Sequence, residues 1–306
     1  MKMSISQEQI VGMGGKGLSL EQIVDFQTNG YVIAQNVFTE ADLQPIIDEI
    51  NAVIDERASA LQAAGKLTEL YENEPFERRI ALLSRQSRDI LKKLDITDIC
   101  GQAMFRFLHN EKLLDVAESL LGRELSCNPI QHLRAKLPWH GTGEQPAEEN
   151  VPWHQDAGVT SEDSEASEII TFWIPLVNAT AETGCMEIMP EVFKMGYLQH
   201  VAGEGTTIKP ELLPHVKPVT AECRKGGIVI MNKYTPHRGT SNRSQIVRWS
   251  LDLRYHKTGA NSGREFLPSF VVRSRVNPDS VLTDHAEWSH RWEEALAKPA
   301  QKIHRV

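Results

Sequence analysis

The 306-residue chain has few cysteines: Cys100, Cys127, Cys185 and Cys223 lie far apart and form no C-x-x-C pair. That spacing speaks against a zinc knot or a disulfide framework and fits buried reduced thiols. Long apolar runs are missing too, both as a leader in Met1-Lys2-Met3-Ser4-Ile5-Ser6-Gln7-Glu8-Gln9 and as a spanning segment later on. A soluble cytoplasmic protein with no membrane partner is therefore expected. Basic residues are outnumbered, 33 Lys and Arg against 41 Asp and Glu, for a net charge of −8. This balance argues against a nucleic-acid surface and still allows a local basic pocket for an anionic ligand. No internal repeat, low-complexity stretch or G-x-G-x-x-G is present.

What is there reads as helices first and short strands afterwards. Residues 1–306 are expected to form a single domain: a helical part over about 1–122, a barrel over about 123–275 and a closing helix over about 283–297. Ser19 with Gln22 makes a capping box for a helix ending at Asn29-Gly30, and Tyr31-Val32-Ile33-Ala34 follows as a strand. Thr39 caps a longer helix whose Leu43, Ile46, Ile47, Ile50, Val53 and Ile54 form one apolar stripe. Helical spacing returns over 80–94, 96–108 and 113–121, with Asn110 as a cap and Gly122 as the stop. Then come β-rich runs at 125–137, 151–156, 169–177, 186–189, 227–232 and 246–256. The fold class is thus mainly β with helices (α+β), a jelly-roll barrel with the N-terminal helices packed on one sheet. A doubly wound sheet is disfavoured because the second half lacks alternating helices. Trp288 and Trp292, four apart in the closing helix, suit packing.

The chemistry concentrates in Val151-Pro152-Trp153-His154-Gln155-Asp156-Ala157-Gly158. If this stretch is extended, His154 and Asp156 share one face and Gln155 takes the other. An imidazole beside a carboxylate suits a borderline divalent ion such as Fe(II), and a second imidazole would complete a facial triad with open positions. His237, after a strand and the Pro236 turn, is the candidate for that third ligand. His140 lies near the same rim and can hydrogen-bond a ligand or substrate.

In the run 246–256, Val247, Trp249, Leu251, Leu253 and Tyr255 alternate with Arg248, Ser250, Asp252 and Arg254. If the apolar side packs under the helices, the polar side faces the barrel interior, where a cation is costly unless paired. A dicarboxylate would supply the partner: Arg248 can grip a carboxylate with two parallel hydrogen bonds, and Ser250 can add a third. Trp153, Tyr234 and Arg254 are candidate substrate-wall residues; Arg254 would bind an anionic substrate or pair internally with Asp252 or a lid carboxylate.

These motifs together resemble the phytanoyl-CoA dioxygenase (PhyH-like) family of Fe(II)/2-oxoglutarate oxygenases, approximately over 30–255. The resemblance is carried by Gly30-Tyr31-Val32-Ile33, by His154 and Asp156, by Phe172-Trp173-Ile174-Pro175-Leu176 through Gly184-Cys185-Met186, and by the His237 to Arg248 spacing. It implies a double-stranded β-helix core (jelly-roll, cupin-like), iron held by His154, Asp156 and His237, and 2-oxoglutarate clamped by Arg248. Ser250 and Thr171 would be further co-substrate contacts, with Gln131 and Lys136 lining the site. Many members carry a Gly-Ser-His turn where this chain has Glu191-Val192-Phe193, a departure that leaves the metal ligands untouched. The resemblance further implies a reaction with O2 that releases succinate and CO2 and hydroxylates an aliphatic C–H bond of a small-molecule metabolite. Retention of Asp156 favours hydroxylation or another oxidation over halogenation, because related halogenases replace that carboxylate. Two other readings compete: a non-catalytic jelly-roll protein that binds a small molecule, and a cupin-like metal isomerase that would not need Arg248.

Overall fold

The capping box at Ser19 is formed, with Gln22 N–H donating to Ser19 Oγ at 3.2 Å and Ser19 N–H to Gln22 Oε1 at 2.9 Å. It opens α1 (Leu20–Asn29), which Gly30 ends in the left-handed conformation at φ 81° before β1 (Tyr31–Ala34). The computed structural model describes residues 16–146, 149–203, 205–299, 301 and 305. In α2 (Glu40–Ala63) Leu43, Ile46, Ile47, Ile50 and Ile54 are buried as one stripe. There follow α3 (Phe76–Gln86), α4 (Ile96–Ile99), α5 (Gln102–Leu108) and α6 (Glu111–Leu121), the last capped by the Asn110 side chain.

The expected helix over 96–108 is broken in two. Cys100 turns left-handed at φ 45°, and Glu49 of α2 accepts from the N–H groups of Ala103 (2.7 Å) and Met104 (3.0 Å). A Cβ at Gly101 would stand 2.1 Å from the Glu49 carboxylate, so glycine is what lets this side chain satisfy the start of α5.

The strand-rich half contains β2 (Leu125–Cys127), β3 (His132–Lys136), β4 (Ile169–Pro175), β5 (Met186–Ile188), β6 (His200–Gly203), β7 (Gly205–Ile208), β8 (Val219–Ala221), β9 (Ile228–Asn232), β10 (His237–Gly239), β11 (Arg248–Lys257) and β12 (Phe270–Arg273), before α7 (His285–Leu296). The larger sheet runs β1-β9-β4-β11-β2-β12, and β3 pairs with the first half of β11 as β2 pairs with its end. A three-stranded sheet, β10-β5-β8, lies against it through Trp173, Val229 and Met231 on one side and Cys185, Met186, Ile188 and Ala221 on the other. This is a mixed, antiparallel jelly-roll arrangement; the two sheets do not join into a closed hydrogen-bonded barrel among the described residues.

β11 fixes the functional face. Trp249, Leu251, Leu253 and Tyr255 are all fully buried in the core shared with the N-terminal helices. Trp249 Nε1 donates to Phe76 O, and Tyr255 Oη to Leu108 O, which ties the strand to the helical layer. The alternation of the strand then forces Arg248, Ser250, Asp252 and Arg254 to the interior between the sheets. Trp288 and Trp292 are buried, as their spacing suggests. Among the described residues, no helix is long and apolar enough to cross a membrane.

Candidate metal and co-substrate site

Residues 151–156 do not form a regular strand. His154 makes an isolated antiparallel bridge to His237, each backbone N–H donating to the other's carbonyl at 3.0 Å, and Asp156 begins a short 3-10 turn. The alternation survives because Gln155 stays extended (φ −115°, ψ 142°) and its side chain points away. There its Nε2 donates to Gly196 O and Tyr234 O, and its Oε1 accepts from Leu198 N–H.

The bridge sets the two imidazole rings 4.1 Å apart between centroids. Each ring is oriented the same way: Nδ1 of His154 bonds Pro152 O at 2.9 Å, and Nδ1 of His237 bonds Thr235 O at 3.0 Å. A carbonyl only accepts, so Nδ1 carries a proton in both rings and Nε2 is the nitrogen left for a ligand. Burial, then the neighbouring His237, pushes His154 down to about 3, which holds it neutral and ready to ligate. One ligand atom from each of His154, Asp156 and His237 lies within 4.8 Å of the others. Two imidazole nitrogens and one carboxylate, all on the same cavity wall, fit a facially bound ferrous ion.

Asp156 is 1% exposed and held from two sides. Arg254 Nη2 donates to Oδ1 at 2.6 Å, and Thr171 Oγ1 donates to Oδ2. Burial alone would raise its pKa, but the Arg254 charge and hydrogen bond override this and hold the carboxyl below the ordinary range. Arg254 itself stays charged despite burial because Asp156 and Asp252 face it. Its charge is thus taken up inside the protein, a pairing with the metal carboxylate that the sequence did not indicate.

Arg248 is 6% exposed, and its guanidinium has Ser250 Oγ as a partner at 2.6 Å while Nε is left without one. It lies over the Trp173 ring, 5.2 Å from the centroid, and no carboxylate pairs with it among the described residues. Lys136, opposite it in the β3–β11 register, donates only to the neutral Asn150 Oδ1 and Thr240 O. Burial and then the Arg248 charge push Lys136 down to about 7. Two cations side by side with neutral partners fit an acidic co-substrate.

A cavity of about 690 Å³ joins these groups, with His154, Asp156, His237, Lys136, Arg248 and Arg254 in its lining. Gln131, Trp153, Tyr234 and His140 lie elsewhere. Gln131 bonds Cys127 Sγ, Trp153 packs with Met189, Val192 and Leu198, Tyr234 Oη donates to Glu165, and His140 is exposed.

The sequence matches the phytanoyl-CoA dioxygenase (PhyH) family over residues 26–250. The chain belongs to that family. It is a non-haem iron, 2-oxoglutarate-dependent dioxygenase, with Fe(II) and 2-oxoglutarate as cofactor and co-substrate. Comparison with curated proteins finds no sequence match. Among solved structures, the apo form of the non-heme monooxygenase ThoJ is similar at 18% identity and a TM-score of 0.60, covering 90% of this chain and 95% of that one. EctD from S. alaskensis, with 2-oxoglutarate and 5-hydroxyectoine, is similar at 18% identity and a TM-score of 0.54, over 81% and 79%. The epimerase SnoN, in complex with Fe3+, alpha ketoglutarate and nogalamycin RO, has 16% identity and a TM-score of 0.54, over 80% and 87%. At these identities the likeness establishes the fold, and family membership carries the reaction class.

Arg264 and Arg305 were not singled out by the sequence. Arg264 lines the cavity with its Nε on Val159 O at 3.0 Å. Arg305 holds the segment after Asp156, donating to Thr160 O, Ser161 O and Glu165. Both act on 159–165 from more than 100 residues away, and no local spacing marks them.

Proposed function

We propose that His154, Asp156 and His237 hold Fe(II), that Arg248 with Ser250 and Lys136 holds the far carboxylate of 2-oxoglutarate, and that the enzyme hydroxylates an aliphatic C–H bond of a small-molecule metabolite. The observation that carries this reading is one cavity shared by two imidazoles with Nδ1 bonded to carbonyls, an ionised carboxylate and a buried guanidinium with no carboxylate partner among the described residues. Bound there, iron and 2-oxoglutarate supply the oxidising chemistry with O2, with release of succinate and CO2. The protein groups do the rest. The carbonyls of Pro152 and Thr235 aim the Nε2 lone pairs, and Arg254 and Thr171 fix the carboxylate plane. Thr171 thus serves Asp156 rather than the co-substrate, and Gln131, bonded to Cys127, has no role in it.

The presence of Asp156 at the metal position favours hydroxylation or another oxidation over halogenation, since a carboxylate ligand takes the site a halide would need. A small substrate fits the cavity volume, which lies within the range of roughly 300–1,000 Å³ common for small-molecule sites. The test is succinate release by the iron-loaded protein across a metabolite panel, with mass detection of a product that has gained one oxygen atom. Substrate-dependent succinate with no oxygen gained would leave the oxygenase class standing and exclude hydroxylation.

A further inference from the structure

The charges lining the cavity do not balance. Arg88 pairs with Glu149, His132 with Asp95, and Arg254 with Asp156 and Asp252. That leaves Lys93, Arg134, Lys136, Arg248 and Arg264 without a carboxylate within 4.0 Å among the described residues, against one unpaired acid, Asp98. In the function proposed above, 2-oxoglutarate accounts for Arg248 and Lys136, and Lys93, Arg134 and Arg264 remain.

Arg264 is the best placed of these. Its loop is fastened to the segment that follows Asp156: Ser161 N–H donates to Gly263 O at 2.9 Å, and Arg264 Nε donates to Val159 O at 3.0 Å. A Cβ at Gly263 would stand 2.6 Å from Thr160, so the two segments are in close contact. With Nε occupied by a carbonyl, the two terminal Nη groups make no hydrogen bond among the described residues, and the half-buried side chain lines the cavity. Burial, then the charge of Arg254, works against the charged form of Arg264, the condition of a cation short of an anion. Arg134 shares its side of β3 with Lys136, lines the cavity where it is exposed to solvent, and makes no hydrogen bond or ion pair among the described residues.

We propose that the substrate carries an anionic group, a carboxylate or a phosphate, and that Arg264 binds it with Arg134 as the second cation. This rests on the oxygenase reading, in which the other two cations are occupied by 2-oxoglutarate. A planar fork with both Nη groups free grips an oxyanion with two charge-assisted hydrogen bonds, and no neutral group gains as much from it.

The experiment uses the full chain loaded anaerobically with Fe(II) and 2-oxoglutarate, and measures binding of matched acid and amide probes: octanoate with octanamide, phenylacetate with phenylacetamide, and octyl phosphate with octanol. At least one anion is expected to bind roughly tenfold or more tightly than its neutral partner. Arg264→Gln should abolish that preference, and Arg134→Gln should reduce it without disturbing any packed contact. Equal affinity for charged and neutral members, no binding by any anion, or a preference unchanged in both variants contradicts the proposal. 2-Oxoglutarate loading is followed in the same samples by its visible charge-transfer band. Failure of the wild-type protein to load sinks the oxygenase reading, whereas normal loading without anion preference sinks the anion site alone.

Discussion

Arg254 Nη2 stands 2.6 Å from Asp156 Oδ1, so the carboxylate of the metal triad is also half of a buried ion pair. The two residues are 98 positions apart, and β11 delivers the guanidinium because its alternate side chains are packed under the helices. Arg254 keeps Asp156 ionised without metal and fixes which lone pairs remain for it. Replacing Arg254 by Met is expected to lower Fe(II) affinity by about 10- to 100-fold, the usual effect of losing a partner that orients a ligand. Chelator-competition titration checks this; unchanged affinity in Arg254→Met contradicts it.

The proposed co-substrate clamp depends on geometry as well as charge. Arg248→Met and Arg248→Lys are both expected to weaken 2-oxoglutarate binding by roughly tenfold or more, because lysine keeps the charge and loses the fork. Calorimetry on the anaerobic Fe(II) protein measures it. A lysine variant that binds like wild type would show that charge alone suffices.

Lys136 gives the site a pH dependence. Burial and Arg248 push it from 10.5 to about 7, so it is charged below that pH and neutral above it. Co-substrate binding favours the charged form, so 2-oxoglutarate affinity should fall as pH rises through about 7 in wild type and stay flatter in Lys136→Met. Folding has the opposite sign. Between about 7 and 10.5 the unfolded chain holds a proton that the native lysine has lost, so this group's contribution to stability rises with pH across that window. Denaturant melts of wild type and Lys136→Met at several pH values test it: the variant should gain most below pH 7.

The apolar face of β11 anchors the polar one. Leu253 is fully buried between the sheet and the helices. Leu253→Ala should cost about 2–5 kcal/mol in denaturant unfolding, the range for cavity-forming truncations of buried leucine. A cost under about 1 kcal/mol would mean the helical layer does not hold this strand as described.

Much of this was legible because the signals were local and periodic. The alternation through β11 showed which side chains face inward, and His-x-Asp with a turn histidine named three candidate ligands whose donor atoms lie within 4.8 Å of one another. The capping box at Ser19 was readable for the same reason, since its partners are three residues apart. What escaped depends on distant contacts. The run 96–108 has helical spacing on both sides of Gly101, and the contacts that fix its break, Glu49 from α2 on the start of α5 and His285 on Cys100 O, come from far along the chain. The run 125–137 reads as one strand, yet Asn128 turns its own chain by accepting from Ile130 N–H at 3.0 Å and splits it into β2 and β3. Gln131 falls in that turn, which is why it bonds Cys127 instead of facing the cavity.

The central claim is that His154, Asp156 and His237 grip one iron beside a co-substrate anchored on Arg248. Anaerobic titration of the protein with Fe(II) in the presence of 2-oxoglutarate, followed by visible absorption, tests it most directly. The account predicts a charge-transfer band that saturates at one iron per chain and is lost in His237→Ala. No band in the wild-type protein, or an undiminished band in His237→Ala, would contradict it.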